Sequence, residues 1–372
     1  MSATETFHPC SDKDGNVIAG TSKKLLFADS LRAFSVLAVI LYHSTGAYFY
    51  DRSNYLYWLV ADVVRSGTSV CVPLFFMLSG MLILDPAKAG ESPATFLRKR
   101  LSKIFIPFVF WSAVYFILNN TRTGTDFTIV QIFYRIIQGP VHYHMWFMYV
   151  LIGLYLSTPL FRLITKSASN EIYIYLLALW LFSEGVLPTL KVFLNIKIDL
   201  RAVVMTGYAG YFLAGYYLRD KFLSKKQITV AIFLYAVATL FTAYMTDHFH
   251  LSENKDIANY FLRFTTPTVI VMSFCIFLVV KSLNYENIEQ MMPTVIKVIQ
   301  FISSASFGTY LAHALVLDSL RNGSLGFKIH QIGGSINNSI IGIVVTFICT
   351  TIATLIFVSI LKRIPVVRAV VS

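Results

Sequence analysis

Arg32 and His43 stand eleven residues apart in the stretch FADSLRAFSVLAVILYHSTGAY, whose only other charge is Asp29. On an α-helix that separation is about three turns and 20°, so both side chains share one face about 16 Å apart. With Arg32 near a membrane boundary, His43 falls near the bilayer midplane. An imidazole at that depth is costly unless it faces a polar cavity. It also gains and loses a proton near neutral pH, which suits a base or a nucleophile. The competing reading is a histidine hydrogen-bonded to a neighbouring helix, with Arg32 snorkelling to the headgroups. Asp29 is placed three residues before Arg32, where it can pair with it. Other candidates are His144, which with His142 lies beside Trp146, then Glu184, and His313 with Tyr310 one turn before it. Asp318 and Arg321 are three apart and read as an ion pair at a helix end. His8, His248, His250 and His330 fall in the tail or in loops. Cys10, Cys71, Cys275 and Cys349 make no metal or disulfide pattern, so no metal is expected.

The elements that must position these groups are membrane helices. Of the 372 residues, 56% are hydrophobic and 13% charged, against about 25% charged in soluble domains. So little charge cannot cover a water-facing surface. Ten apolar segments approach the length of about 20 residues that a span requires: 29–49, 66–84, 104–119, 145–163, 171–188, 203–218, 228–246, 264–281, 299–320 and 338–361. The expected fold is an all-α bundle of about ten transmembrane helices. With the N-terminus in the cytoplasm, nineteen of the 31 Lys and Arg residues fall on the inner side and eleven outside, Arg32 being left over. The inner excess places both termini in the cytoplasm. Residues 1–24 read as a disordered cytoplasmic tail and 25–372 as one transmembrane domain. The net charge of +12 sits in short loops, where it orients helices, so nucleic acid is not an expected partner.

Arg followed by ten residues and His in the first helix resembles the membrane acyltransferase-3 family. Four further stretches resemble it in order: PLFFMLSGMLIL at 73–84, FLRKRLSKIFIPFVFW at 96–111, HYHMWFMYVLIGLYLSTPLF at 142–161 and FGTYLAHALVL at 307–317. The family's Arg-x-x-Arg reads Arg100-Leu-Ser-Lys103 here, which keeps the charge and loses the second guanidinium fork. The resemblance implies a membrane O-acyltransferase, most often moving acetyl from acetyl-CoA to a hydroxyl compound. On that reading His43 is the base, or is itself acylated and relays the group, with Arg32 holding the pantetheine arm or its pyrophosphate. Arg98, Lys99, Arg100 and Lys103 form a phosphate cradle; as a plain topology signal the same run needs no ligand. Ser79 and Gly80 serve close packing or leave room for the thioester. His144, Trp146, Glu184 and His313 are the candidates for contacting the acceptor.

The expected acceptor is a surface or exported polysaccharide, or its lipid-linked precursor. The protein would be a multi-pass component of the cell membrane, the inner one in a Gram-negative cell, in contact with membrane lipids. A transporter or flippase for a glycan or small solute also accommodates a polar pair at depth. Such a protein favours an internal repeat, and no strong one is seen.

Overall fold

The computed structural model describes residues 20–85, 90–194, 207–251, 260–323, 329 and 339–371. Among them every long element is a helix: α1 Gly20–Ser44, α2 Gly46–Phe49, α3 Tyr55–Thr68, α4 Cys71–Ile83, α5 Pro93–Thr123, α6 Ile129–Gln138, α7 Trp146–Ser167 and α8 Asn170–Trp180. A π-helical turn at Leu181–Val186 leads into α9 Leu187–Leu194. There follow α10 Ala209–Tyr217, α11 Lys225–Leu251, α12 Pro267–Lys281, α13 Tyr285–Met291, α14 Pro293–Asn322, α15 Ser339–Arg363 and α16 Pro365–Arg368.

Eight stretches of the described chain are long and apolar enough to cross a bilayer: Leu26–Phe49, Tyr55–Ile83, Pro93–Thr123, Trp146–Ser167, Asn170–Leu194, Lys225–His250, Pro293–Asn322 and Ser339–Arg363. A further candidate is the pair α12 and α13, which meet at 62°. The chain is therefore an all-α, multi-pass membrane protein. Eight of the ten expected segments lie within these stretches, to within one residue at the ends, and 264–281 falls largely on α12. Of 203–218, residues 203–206 lie outside the described residues, and the rest carries the short α10. Residues 1–19 of the expected tail also lie outside them, and α1 begins at Gly20.

Local chemistry accounts for the helix ends. Proline opens α5, α12, α14 and α16, where its fixed φ suits the first turn and its missing N–H loses no bond. Ser92 caps α5, and Thr128 with Gln131 forms a capping box on α6. Gly124, at φ 66°, ends α5 in the left-handed region.

The packing centre is α4, which runs against α10, α1, α7 and α12. Gly80 lies on the carbonyl of Phe212, and Gly215 lies on that of Met77. A Cβ at either position would enter the opposing backbone, so the small residues let these helices touch. Gly80 thus serves close packing. Arg162, 4% exposed, reaches from α7 to the end of α4, where its Nε donates to the Ile83 carbonyl at 3.0 Å. Thr165 Oγ1 donates to the next carbonyl, Leu84, also at 3.0 Å. Along α15, Val344, Ile348, Ile352, Ile356 and Ile360 recur every fourth residue and are exposed, as a lipid-facing stripe requires.

Candidate active site

Three parts of the chain converge at the C-terminal end of α1. They are α1 itself, the segment between α6 and α7, and the middle of α14. His43 is the penultimate residue of α1, so its carbonyl is one of those the helix leaves unpaired. Arg321, at the far end of α14, donates to that carbonyl from Nη2 at 2.5 Å. A cation on a helix C-terminus is doubly suited, as a donor and as a counter to the dipole. The His43 ring lies 5.4 Å from His313, nearly parallel to it, and 4.8 Å from Tyr143.

His313 is fully buried. Its Nδ1 lies 2.6 Å from the Tyr310 carbonyl. A carbonyl only accepts, so Nδ1 carries the proton, and in the neutral ring Nε2 is left with a lone pair. His144 is 2% exposed, and its ring lies 5.0 Å from that of His313. The Tyr310 hydroxyl donates to the His144 backbone carbonyl, fixing the segment before α7 against α14. His144 Nδ1 meets His142 Nδ1 at 3.1 Å, and His142 Nε2 meets Asp318 at 3.3 Å. Tyr115, from α5, stacks on His142 at 4.4 Å. The structure thus brings His43, His144 and His313 together and adds His142. No group of His, Cys, Asp or Glu among the described residues is arranged to hold a metal.

Trp146 and Glu184 lie along the adjoining wall. Trp146 stacks on Phe264 at 5.6 Å and meets Tyr208 at 5.3 Å; Phe264 in turn lies 6.0 Å from Tyr42, beside His43. Glu184, in the π-helical turn, lies within electrostatic reach of Tyr208. Arg65, 8% exposed, spreads its guanidinium over Tyr42 at 4.0 Å and donates to the Tyr50 hydroxyl at 3.4 Å.

Arg32 occupies the opposite end of the same helix. It pairs with Asp29 at 3.2 Å, as expected, and Ser303 donates to that carboxylate at 2.6 Å. Ser79 lies beside the buried Tyr155, which is also within electrostatic reach of Arg100 and Arg32. Of the basic run, Arg98, Lys99 and Lys103 are exposed, and Arg100 is half-buried on the inward face. Lys99 pairs with Glu91 at 3.0 Å. Glu91 also accepts from Arg162 at 3.1 Å. Partial burial pushes the Glu91 carboxyl up, but the hydrogen bonds from Lys99 and Arg162 outweigh it and leave it below its ordinary value.

One sequence expectation is overturned. Asp318 and Arg321 turn to different partners, Asp318 to His142 and Arg321 to the His43 carbonyl. Both groups have better targets across the bundle than along their own helix. Arg65, Tyr143 and the pairing role of His142 were not singled out from sequence. The one available signal was the recurrence of aromatic and basic types in 42–65 and 142–146.

Imidazoles from α1, α14 and the segment before α7 are thus brought together in a multi-pass helical membrane protein, with cations at the other end of α1. The sequence model of the acyltransferase domain of the acyltransferase-3 family matches residues 25–361, and the chain belongs to that family. No curated protein and no solved structure matches the chain.

Proposed function

We propose that this acyltransferase is a membrane O-acetyltransferase. It takes acetyl from cytosolic acetyl-CoA and places it on a hydroxyl of a surface or exported polysaccharide, or of its lipid-linked precursor. The observation that carries this reading is the division of labour along α1. At one end His43 lies against His313 and Tyr143, and at the other Arg32 shares the surroundings of Tyr155 with Arg100 and Ser79.

Coenzyme A phosphates cannot enter hydrocarbon unpaired. Arg100 would hold them at the cytoplasmic mouth, with Arg98 and Lys103 adding field from the exposed face. Arg32 would guide the nearly neutral pantetheine arm along α1 toward His43, about 16 Å deeper. His43 removes the proton of the acceptor hydroxyl as its oxygen attacks the thioester carbonyl. The carbon–sulfur bond breaks, and the proton passes to the departing thiolate. The products are an O-acetyl ester and the free thiol. Trp146, Glu184, His144 and His313 line the acceptor's approach.

This scheme needs ten spans and both termini in the cytoplasm. Reporter fusions after Ser92 and Gln227 should then read inside, and those after Asn54 and Asn254 outside. The deciding experiment compares the O-acetyl content of cell glycans from a deletion strain with and without the restored gene. Restoration should return the acetyl groups, and identical content in the two overturns the reading.

A further inference from the structure

His144 and His313 share a feature that the transfer step does not use. Each buries its Nε2 with no hydrogen-bonding partner among the described residues, and their rings are 5.0 Å apart. An unpaired polar atom at such depth keeps its full desolvation penalty, so two side by side call for an explanation. Resting on the proposed transferase reading, we propose that His144 Nε2 and His313 Nε2 form an acceptor-binding pair for neighbouring hydroxyl groups of a polyhydroxylated compound. Asp318 and His142 act as positioning residues that hold His144 in the accepting tautomer.

The argument is one of donors and acceptors. A neutral imidazole has one N–H and one lone pair. On His313 the Tyr310 carbonyl claims the Nδ1 proton and leaves Nε2 to accept. On His144 the assignment is made at a distance. His142 Nε2 lies 3.3 Å from the Asp318 carboxylate, whose negative charge favours a proton on that nitrogen. With His142 neutral, its Nδ1 is the acceptor in the 3.1 Å contact with His144 Nδ1, so His144 donates from Nδ1. Its Nε2 is thereby bare. Tyr115 stacks on the His142 ring at 4.4 Å and Tyr310 pins the His144 backbone, so neither ring turns freely.

Two adjacent bare acceptors select hydroxyl donors. They reject a carboxylate or phosphate, whose oxygens only accept. The geometry therefore assigns the hydroxyl-bearing part of the acceptor to these two atoms and any anionic part of it elsewhere.

The test uses the full-length protein, labelled with 15N-histidine and reconstituted in lipid nanodiscs. His144→Gln and His313→Gln identify the two sets of ring signals by their loss. In the wild type both residues should show a protonated Nδ1 and a bare Nε2. Asp318→Asn presents an N–H to His142 and should reverse the His144 tautomer, whereas Asp318→Glu should keep it. Methyl glucoside, added as a plain polyhydroxyl probe, should move both Nε2 signals. A protonated Nε2 on either residue of the wild type overturns the proposal, as does a His144 tautomer unchanged in Asp318→Asn. Nε2 signals that methyl glucoside leaves in place also overturn it. In cells, Asp318→Asn should lower glycan O-acetylation by on the order of 10²-fold at equal protein level, with recovery in Asp318→Glu. If the wild type itself restores no O-acetyl groups, the transferase reading falls, and the tautomer signals still decide the positioning.

Discussion

His43 and His313 stack their rings 5.4 Å apart, although they come from the first and the penultimate long helix of the described chain. Their backbones are held separately. The His43 carbonyl takes a hydrogen bond from Arg321, and the His313 ring is tied to Tyr310 one turn earlier on the same α14. One helix therefore sets the position of one imidazole and the orientation of the other.

Replacing His43 with Ala should remove transfer and leave the packing in place, because the Arg321 bond is made by the backbone. The expected loss is on the order of 10²–10⁴-fold. Glycan O-acetyl content, read alongside the amount of protein in the membrane, checks this. Full acetylation in the variant removes His43 from the site.

Arg321→Met should leave the His43 carbonyl without its donor and let the end of α1 loosen. A lost buried hydrogen bond of this kind costs about 1–3 kcal/mol. Transfer should fall together with the melting temperature, and Arg321→Lys should recover part of both. A Met variant that melts and transfers like the wild type contradicts the link.

The inward turn of Arg100 distinguishes it from its neighbours. Arg100→Ala should weaken binding of a non-hydrolysable acetyl-CoA analogue about tenfold, the equivalent of about 1.4 kcal/mol. Added salt should weaken the wild type toward the same level. Arg98→Ala should change affinity by less than about twofold, as exposed charges do. Calorimetry on purified protein separates the two, and equal effects would mean that the run acts only as a diffuse field.

Gly80→Ala should be poorly tolerated, because its new methyl meets the Phe212 carbonyl. Overpacking costs about 1–3 kcal/mol where side chains can yield, and backbone yields less. Gly153 is the control: it is exposed, and a Cβ there meets nothing. Thermal melts in detergent should show a clear drop for the first and almost none for the second.

Glu91 supplies a pH signature. Its carboxyl titrates below the ordinary carboxylate range, so its stabilising contribution is present above that range and is lost as pH falls through the lowered value. The melting-temperature gap between wild type and Glu91→Gln should be steady near neutrality and close on acidification. A gap that widens in acid contradicts the pairing with Lys99 and Arg162.

What was legible in the sequence was what lies along one helix. The spans follow from runs of apolar residues, and the Asp29–Arg32 pair follows from a three-residue spacing. His43 and His313 could be picked out because imidazoles are costly at depth, and His144 because it lies beside Trp146. What could not be read was which distant group each would meet. Asp318 and Arg321 looked like partners because only their spacing was visible, and the bundle supplied His142 and the His43 carbonyl instead. Arg162, at the end of the 145–163 segment, showed no partner in the sequence, yet it is buried against Ile83. Arg98, Arg100 and Lys103 were equivalent as charges until the helix phase set Arg100 apart.

The bonds from Arg162 and Thr165 to the end of α4 have a consequence for synthesis. The two carbonyls of Ile83 and Leu84 find their donors 79 and 81 residues downstream. At about 5–20 residues per second, the ribosome delivers those donors on the order of 4–16 s later. For that interval the exit of α4 needs water or the insertion machinery to solvate it. The tight seam between α4 and α10 waits longer still, since Phe212 and Gly215 emerge after α7. The seam between α4 and α10 therefore closes well after α4 is made, and the early helices must be held in the membrane unpaired until it does.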